Sequence, residues 1–156
     1  MRSEPPVPRL EPLARFTVTL APPLEVGSTP WGRRRVIGIT GGSFSGPRLA
    51  GEILPGGADW QVVHADGAAS IDTRYTLRTS DDVLISLATR GVRHGPPDVL
   101  AALAVRDDVD PATYYFTVGL TFEVGEGGYD WLNRVVAVGS AVRHPDAVIY
   151  DAYVVR

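Results

Sequence analysis

Residues 58–89 read ADWQVVHADGAASIDTRYTLRTSDDVLISLAT, three apolar/polar alternating runs separated by two groups of turn-forming residues. Period-two alternation marks half-buried strands. Ala65-Asp66-Gly67-Ala68 holds an Asp-Gly pair suited to positive φ, and Thr79-Ser80-Asp81-Asp82 is a run of turn formers. The spacing predicts an antiparallel meander with strands at Ala58 to His64, Ala69 to Arg78 and Val83 to Thr89. Nothing in the stretch carries the helical rhythm of a βαβ unit, so the sheet it begins is antiparallel.

The same pattern extends in both directions. In Leu13 to Leu20, Ala14, Phe16, Val18 and Leu20 share one face while Arg15, Thr17 and Thr19 take the other. Arg33 to Thr40 alternates more loosely and runs into Gly41-Gly42. Downstream, Phe116, Val118, Leu120 and Phe122 alternate with Thr117, Gly119, Thr121 and Glu123 before Gly125-Glu126-Gly127-Gly128. Trp131 to Val142 and Val148 to Val155 supply the last pair of strands. One stretch reads as helix, Asp98 to Val105, after Pro96-Pro97 with Asp98 as its cap and Asp110-Pro111 barring extension. About nine strands with no βαβ rhythm favour a barrel or sandwich over any α/β fold, and of these the expectation is an all-β chain, a single antiparallel β-barrel of about eight to nine strands with one short helix. Residues 13–156 form the barrel domain and 1–12, which hold four prolines, a flexible arm.

Composition narrows the function. A chain of 156 residues, 44% hydrophobic and 21% charged, has the makeup of one ordinary globular core. The absence of cysteine excludes disulfides, thiolate metal sites and cysteine nucleophiles. Neither an apolar run of roughly 18 residues nor a secretory leader is present, so the reading is a cytoplasmic protein with no membrane partner. A net charge of −3 offers no attraction to phosphate backbones, and the one basic run, Arg33-Arg34-Arg35, lies in a strand, so no nucleic-acid partner is expected. His64, His94 and His144 stand alone without metal-binding spacing, and no metal is expected. The glycine-rich stretch from Gly38 to Gly46 lacks the Gly-Lys-Ser/Thr ending of a phosphate loop, and Ser43 and Ser45 sit in no nucleophile elbow. No cofactor is expected.

Chemistry concentrates in Pro55-Gly56-Gly57-Ala58-Asp59-Trp60, Asp72-Thr73-Arg74-Tyr75, Glu123, and Tyr129-Asp130-Trp131-Leu132-Asn133. A strand entered through Gly-Gly lets backbones approach closely, and a tryptophan beside a carboxylate desolvates it. On the strand from Ser70 to Arg78, Asp72, Arg74 and Thr76 share one face and Ile71, Tyr75 and Leu77 the other. The polar face lines a ligand cavity if it points inward; it simply meets water if Ile71, Tyr75 and Leu77 fill the core.

Taken together, Thr29-Pro30-Trp31-Gly32-Arg33-Arg34, Gly41-Gly42 with Gly46-Pro47, the Leu54 to Gln61 segment, Asp66-Gly67, Asp72-Thr73-Arg74-Tyr75 and Tyr129-Asp130-Trp131-Leu132-Asn133 resemble the DUF3237 family, also called UPF0311. The resemblance spans nearly the whole chain from Leu13, implies a β-barrel of this size, and brings no assigned activity. The family commonly has an arginine after the aromatic pair that here is Tyr115-Phe116 and a Phe-Glu-Thr run where this chain has Phe122-Glu123-Val124. Thr117 and Val124 depart from that pattern, while Glu123, Trp131 and Asn133 match it.

Two functions fit. In the first the barrel is a cofactor-independent lyase, isomerase or cyclase acting on a small carbonyl-containing or aromatic metabolite. Asp59 is then the base, its pKa raised beside Trp60, with Arg74 or Tyr75 stabilising an enolate. Glu123 or Asp72 orients, Tyr129 and Trp131 stack on the ligand, and Trp60 and Asn133 complete the binding set. In the second it is a non-catalytic carrier of a small hydrophobic ligand, with the same aromatics lining the pocket. A homo-oligomer is also expected if the apolar strand Val148 to Val155 lies at an exposed edge or interface.

Overall fold

The computed structural model of the protein describes residues 3–156. Among the described residues ten strands follow the alternation: β1 (Leu10–Leu20), β2 (Leu24–Thr29), β3 (Gly32–Ser45), β4 (Ala50–Ile53), β5 (Ala58–Val63), β6 (Ala69–Thr79), β7 (Leu84–His94), β8 (Tyr115–Val124), β9 (Val136–Arg143) and β10 (Ala147–Val155). One helix, α1 (Pro97–Leu103), joins β7 to β8.

All pairings are antiparallel, and they close. Following the ring, β1 pairs β10, then come β9, β8, β7 and β6, then β4 and β5 in one position, then β3, which returns to β1. That makes a closed eight-position barrel. Closure removes the free edges that a flat sheet would expose. The apolar members of each alternation point inward: Phe16, Phe44, Leu77, Ile85 and Leu87 are all fully buried.

The shared position of β4 and β5 is built by Leu54-Pro55-Gly56-Gly57. β4 pairs with the C-terminal parts of β3 and β6, and β5 with their other ends. Between them the ring stays hydrogen-bonded: Ile39 N donates to Gly57 O at 2.9 Å and Leu54 N to Thr76 O at 2.9 Å. Gly57 is required there, since a Cβ would stand 2.4 Å from Arg74 O and 2.5 Å from Tyr75 Cβ. The Gly-Gly entrance thus presses the chain against β6 and delivers Asp59 to the wall.

Four expectations change. Trp131 to Val142 is not one strand: Asp130–Arg134 form a 3₁₀ turn and β9 starts at Val136. Burial of Leu132, 1% exposed, is served by the turn. Asp98 lies in the first turn of α1 rather than at its cap, which is Pro96. Strand pairing already begins at Leu10, and Arg9 exchanges backbone hydrogen bonds with Arg156. β10 lies between β1 and β9, so Val148 to Val155 offers no open edge for another chain. Among the described residues, no helix is long and apolar enough to cross a membrane.

Candidate functional site

Asp59 and Tyr75 point into the barrel, and the other candidates do not. Asp72, Arg74 and Thr76 take the outer face of β6 while Ile71, Thr73, Tyr75 and Leu77 are buried. Asp72 sits 3.6 Å from Arg90 on that outer face. Trp60 is 41% exposed and faces out, because neighbours on a strand cannot share a side. The walls of the lumen, not Trp60, desolvate Asp59. Glu123 is exposed on β8.

Tyr129, Trp131 and Asn133 stand at the opposite end of the barrel from Arg93, with the β3–β4 and β6–β7 turns. There the Tyr129 hydroxyl donates to Asp81 at 2.7 Å, and the Arg48 guanidinium lies 3.8 Å above the Trp131 ring. Asn133 extends the end of β8: its Nδ2 donates to Val124 O at 2.8 Å and its Oδ1 accepts from Val124 N at 2.9 Å. Asn133→Ala strips both bonds, so it is expected to lower stability by about 1–2 kcal/mol and Tm by roughly 2–8 °C, read by calorimetry, without disturbing the lumen.

The lumen holds a cavity of about 50 Å³. That is room for a few waters or the reactive end of a small molecule. Its walls are mainly apolar, among them Leu20, Ile37, Ile39 and Val118. Asp59, 7% exposed, is set into that wall. Its Oδ1 accepts from Asp72 N at 2.9 Å where the β5–β6 ladder is interrupted between Asp59↔Thr73 and Val62↔Ser70. Its Oδ2 accepts from Gln61 Nε2 at 3.0 Å, and Gln61 Oε1 accepts from Arg35 Nε at 2.7 Å. Because arginine only donates, this chain has a fixed direction, and both Asp59 oxygens must serve as acceptors. Burial nevertheless raises the Asp59 pKa above its ordinary 3.8, against the lowering pull of those two donors and of Arg93 and Arg143.

Deeper in, Tyr75 and Tyr150 join hydroxyl to hydroxyl, both fully enclosed, and burial pushes both phenols upward. One hydroxyl donates to the other, leaving the acceptor's own proton available to a third oxygen. Thr73 and Thr89 form a second buried hydroxyl pair at 2.6 Å.

Adjoining the cavity is a wider mouth of about 340 Å³, to which α1, Arg33, Arg35, Arg93 and Arg143 contribute. Arg93 and Arg143 line both spaces and so form the neck between them. Desolvation, then the neighbouring Arg143 and Arg35, pulls the Arg93 pKa down to about 10. Among the described residues no three His, Asp or Glu side chains gather as a metal would require.

Gln61, Arg35, Arg93, Arg143 and Tyr150 were not among the residues the sequence singled out. A signal existed. Ile85, Leu87, Thr89, Gly91 and Arg93 share one face of β7, and Ala137, Gly139, Ala141 and Arg143 one face of β9. An arginine ending an inward register is an inward arginine, provided the strand is drawn long enough.

Comparison with known proteins gives a consistent picture. The family model described as "Protein of unknown function (DUF3237)" matches residues 8–155. The UPF0311 protein RPA1785 of Rhodopseudomonas palustris is 35% identical over 148 residues, 94% of this chain and 97% of that one. Its crystal structure superposes with a TM-score of 0.91, covering 97% of this chain and all 100% of the other. A beta-barrel like protein from Acinetobacter baumannii is 52% identical with a TM-score of 0.88, covering 99% of this chain and 100% of that one. An enzyme from Penicillium herquei, at 22% identity and a TM-score of 0.75 with both chains wholly covered, shares the fold.

Proposed function

The chain belongs to the DUF3237 family, and from that premise we propose that it is a small-molecule-binding barrel performing acid–base catalysis on a carbonyl-containing metabolite, as a lyase, isomerase or cyclase. The observation that carries this reading is a carboxyl group, Asp59, held in an apolar lumen with its pKa raised. A carboxylate so placed is a stronger base than one in water and sits closer to the neutral range where proton transfer is efficient.

In the proposed reaction Asp59 takes a proton from the carbon next to the carbonyl, the electron pair of that C–H bond becomes the enolate C=C bond, and the carbonyl π pair moves to the oxygen. The free proton of the Tyr75–Tyr150 pair hydrogen-bonds to the resulting enolate. Where a double bond is conjugated with the enolate, its collapse returns the proton from Asp59 to the γ-carbon and shifts that double bond, an isomerisation; where the β-carbon bears a leaving group, collapse forms the α–β double bond, breaks the bond to that group and passes it the proton, an elimination. Both oxygens of Asp59 keep their hydrogen bonds, so the proton rides on a remaining lone pair facing the cavity.

The carrier reading draws on the apolar walls, which would hold a ligand without reacting with it. One assay separates the two: solvent deuterium exchange at the α-carbon of small ketones and oxo acids. The wild type is expected to catalyse exchange and Asp59→Asn to lose it by about 10²-fold or more. Binding without exchange supports the carrier and overturns the enzyme.

The raised pKa has a stability consequence. Below the ordinary carboxylate value Asp59 is neutral both folded and unfolded. As pH rises past that value the unfolded chain releases the proton first, which favours unfolding until the folded group also ionises. Urea melts should therefore show wild-type stability, measured relative to Asp59→Asn, highest at low pH, falling as pH rises from the ordinary 3.8 through the raised folded value, and flat beyond. A difference that grows with pH would refute the raised pKa.

A further inference from the structure

Three guanidiniums, from Arg35, Arg93 and Arg143, gather where the lumen meets the mouth. Arg93 and Arg143 are 7% and 8% exposed. Among the described residues none of the three closes an ion pair. Arg35 is spent on Gln61, with Glu25 across the β2–β3 ladder, and Arg143 reaches Pro145 O at 3.4 Å, with Asp146 near. Arg93 is different: its Nη1 is buried and has no hydrogen-bond partner among the described residues. Asp59 is the buried acid facing this group, and Glu25 and Asp146 are exposed acids at its edge.

An enclosed guanidinium with an idle N–H is costly unless something else completes it. Like charges crowding it add to that cost. The complement is an oxyanion, and the planar fork of arginine suits a carboxylate. The apolar walls below the neck set the other half of the ligand.

We propose that the barrel binds a small carboxylate with an apolar body, its anionic head held by Arg93 and Arg143 on the mouth side of the neck and only the far end of its body in the small free space of the lumen, against Ile37, Phe116 and Val118. This deepens the reading of the lumen as the substrate site and rests on it. The head at the neck turns the body toward Asp59 and the tyrosine pair, so the carboxylate is a handle and the reacting carbonyl lies further in. The remaining arginine at the rim, Arg33, is exposed and draws anions to the mouth.

The experiment uses the whole chain and isothermal titration with benzoate, its neutral isostere benzamide, and inorganic phosphate. Benzoate is expected to bind saturably and at least tenfold more tightly than either other probe. Arg93→Met is expected to weaken benzoate at least tenfold while leaving Tm unchanged or higher, because the buried cation it removes closes no ion pair among the described residues and has only the Phe116 ring, 5.4 Å away, to offset its burial. Arg143→Met carries the same expectation for binding. The Arg93 Nε resonance should shift on benzoate addition in the wild type. No benzoate binding, equal binding of benzamide or phosphate, or full affinity in both variants overturns the proposal. Asp59→Asn separates this from the catalytic reading. It should bind benzoate at least as tightly as wild type, since a competing negative charge is gone. Arginine-dependent benzoate binding without any α-carbon exchange sinks the catalysis and keeps the anion site; exchange on neutral ketones with no benzoate binding does the reverse.

Discussion

Phe16→Ala is expected to remove about 3–5 kcal/mol of stability, a large part of the 5–15 kcal/mol that separates a domain of ordinary stability from its unfolded chain. Phe16 is 0% exposed and stands between two aromatic rings on the neighbouring strands. Its ring lies 5.4 Å from Phe44 on β3 and 4.8 Å from Tyr150 on β10, nearly parallel to both, at 16° and 6°. Truncation deletes the middle of that row and leaves a cavity that strands tied on both sides cannot collapse to fill. The loss also reaches the lumen, because the face of Tyr150 that Phe16 covers is what holds its hydroxyl toward Tyr75. Chemical denaturation measures the first effect, with an unchanged m-value expected. A loss under 1 kcal/mol would mean that the aromatic row does not brace the barrel.

Gly42→Ala is expected to prevent the barrel from closing. Gly42 sits on β3 opposite Val18 of β1, the seam by which the chain's first strand completes the ring. Its φ is +137°, a region L side chains rarely adopt, and a Cβ there would stand 2.0 Å from Thr17 O. The contact is with backbone, so no rotamer change relieves it. Either β1 moves away and frees two strand edges, or the protein fails to fold. Loss of amide protection along β1 and β3, or of soluble protein altogether, is the expected readout. Gly125→Ala is the control: nothing lies within 4 Å of its added Cβ, so it should change stability by less than about 0.5 kcal/mol.

The barrel was legible in the sequence because its information is local. Alternation from Leu13 to Leu20 and from Phe116 to Glu123, and turn chemistry at Asp66-Gly67 and Thr79 to Asp82, act over a few residues and say which side each side chain takes. β2 and β4 were not resolved from their surroundings because they are short and take over a neighbour's place in the ring instead of adding one. The 3₁₀ turn at Asp130–Arg134 hid behind an aromatic-rich run that resembles a strand. Of the nine candidate residues, the lumen receives Asp59 and Tyr75. Trp60, Asp72, Arg74 and Glu123 carry suitable functional groups, but period two turns them outward; Tyr129, Trp131 and Asn133 serve the far end.

The sequence by itself determined that this chain is antiparallel β of barrel size and that Asp59 stands on a strand entered through Gly-Gly. Which groups meet Asp59 was decided by tertiary structure alone. Arg35, Arg93, Arg143 and Tyr150 are carried by four different strands, β3, β7, β9 and β10, and only the closure of the ring sets them around one space. The physical reason is that a strand's own residues fix the direction of a side chain, whereas its neighbours across the lumen, and therefore its solvation, charge and chemistry, depend on a register and curvature distributed over all eight positions.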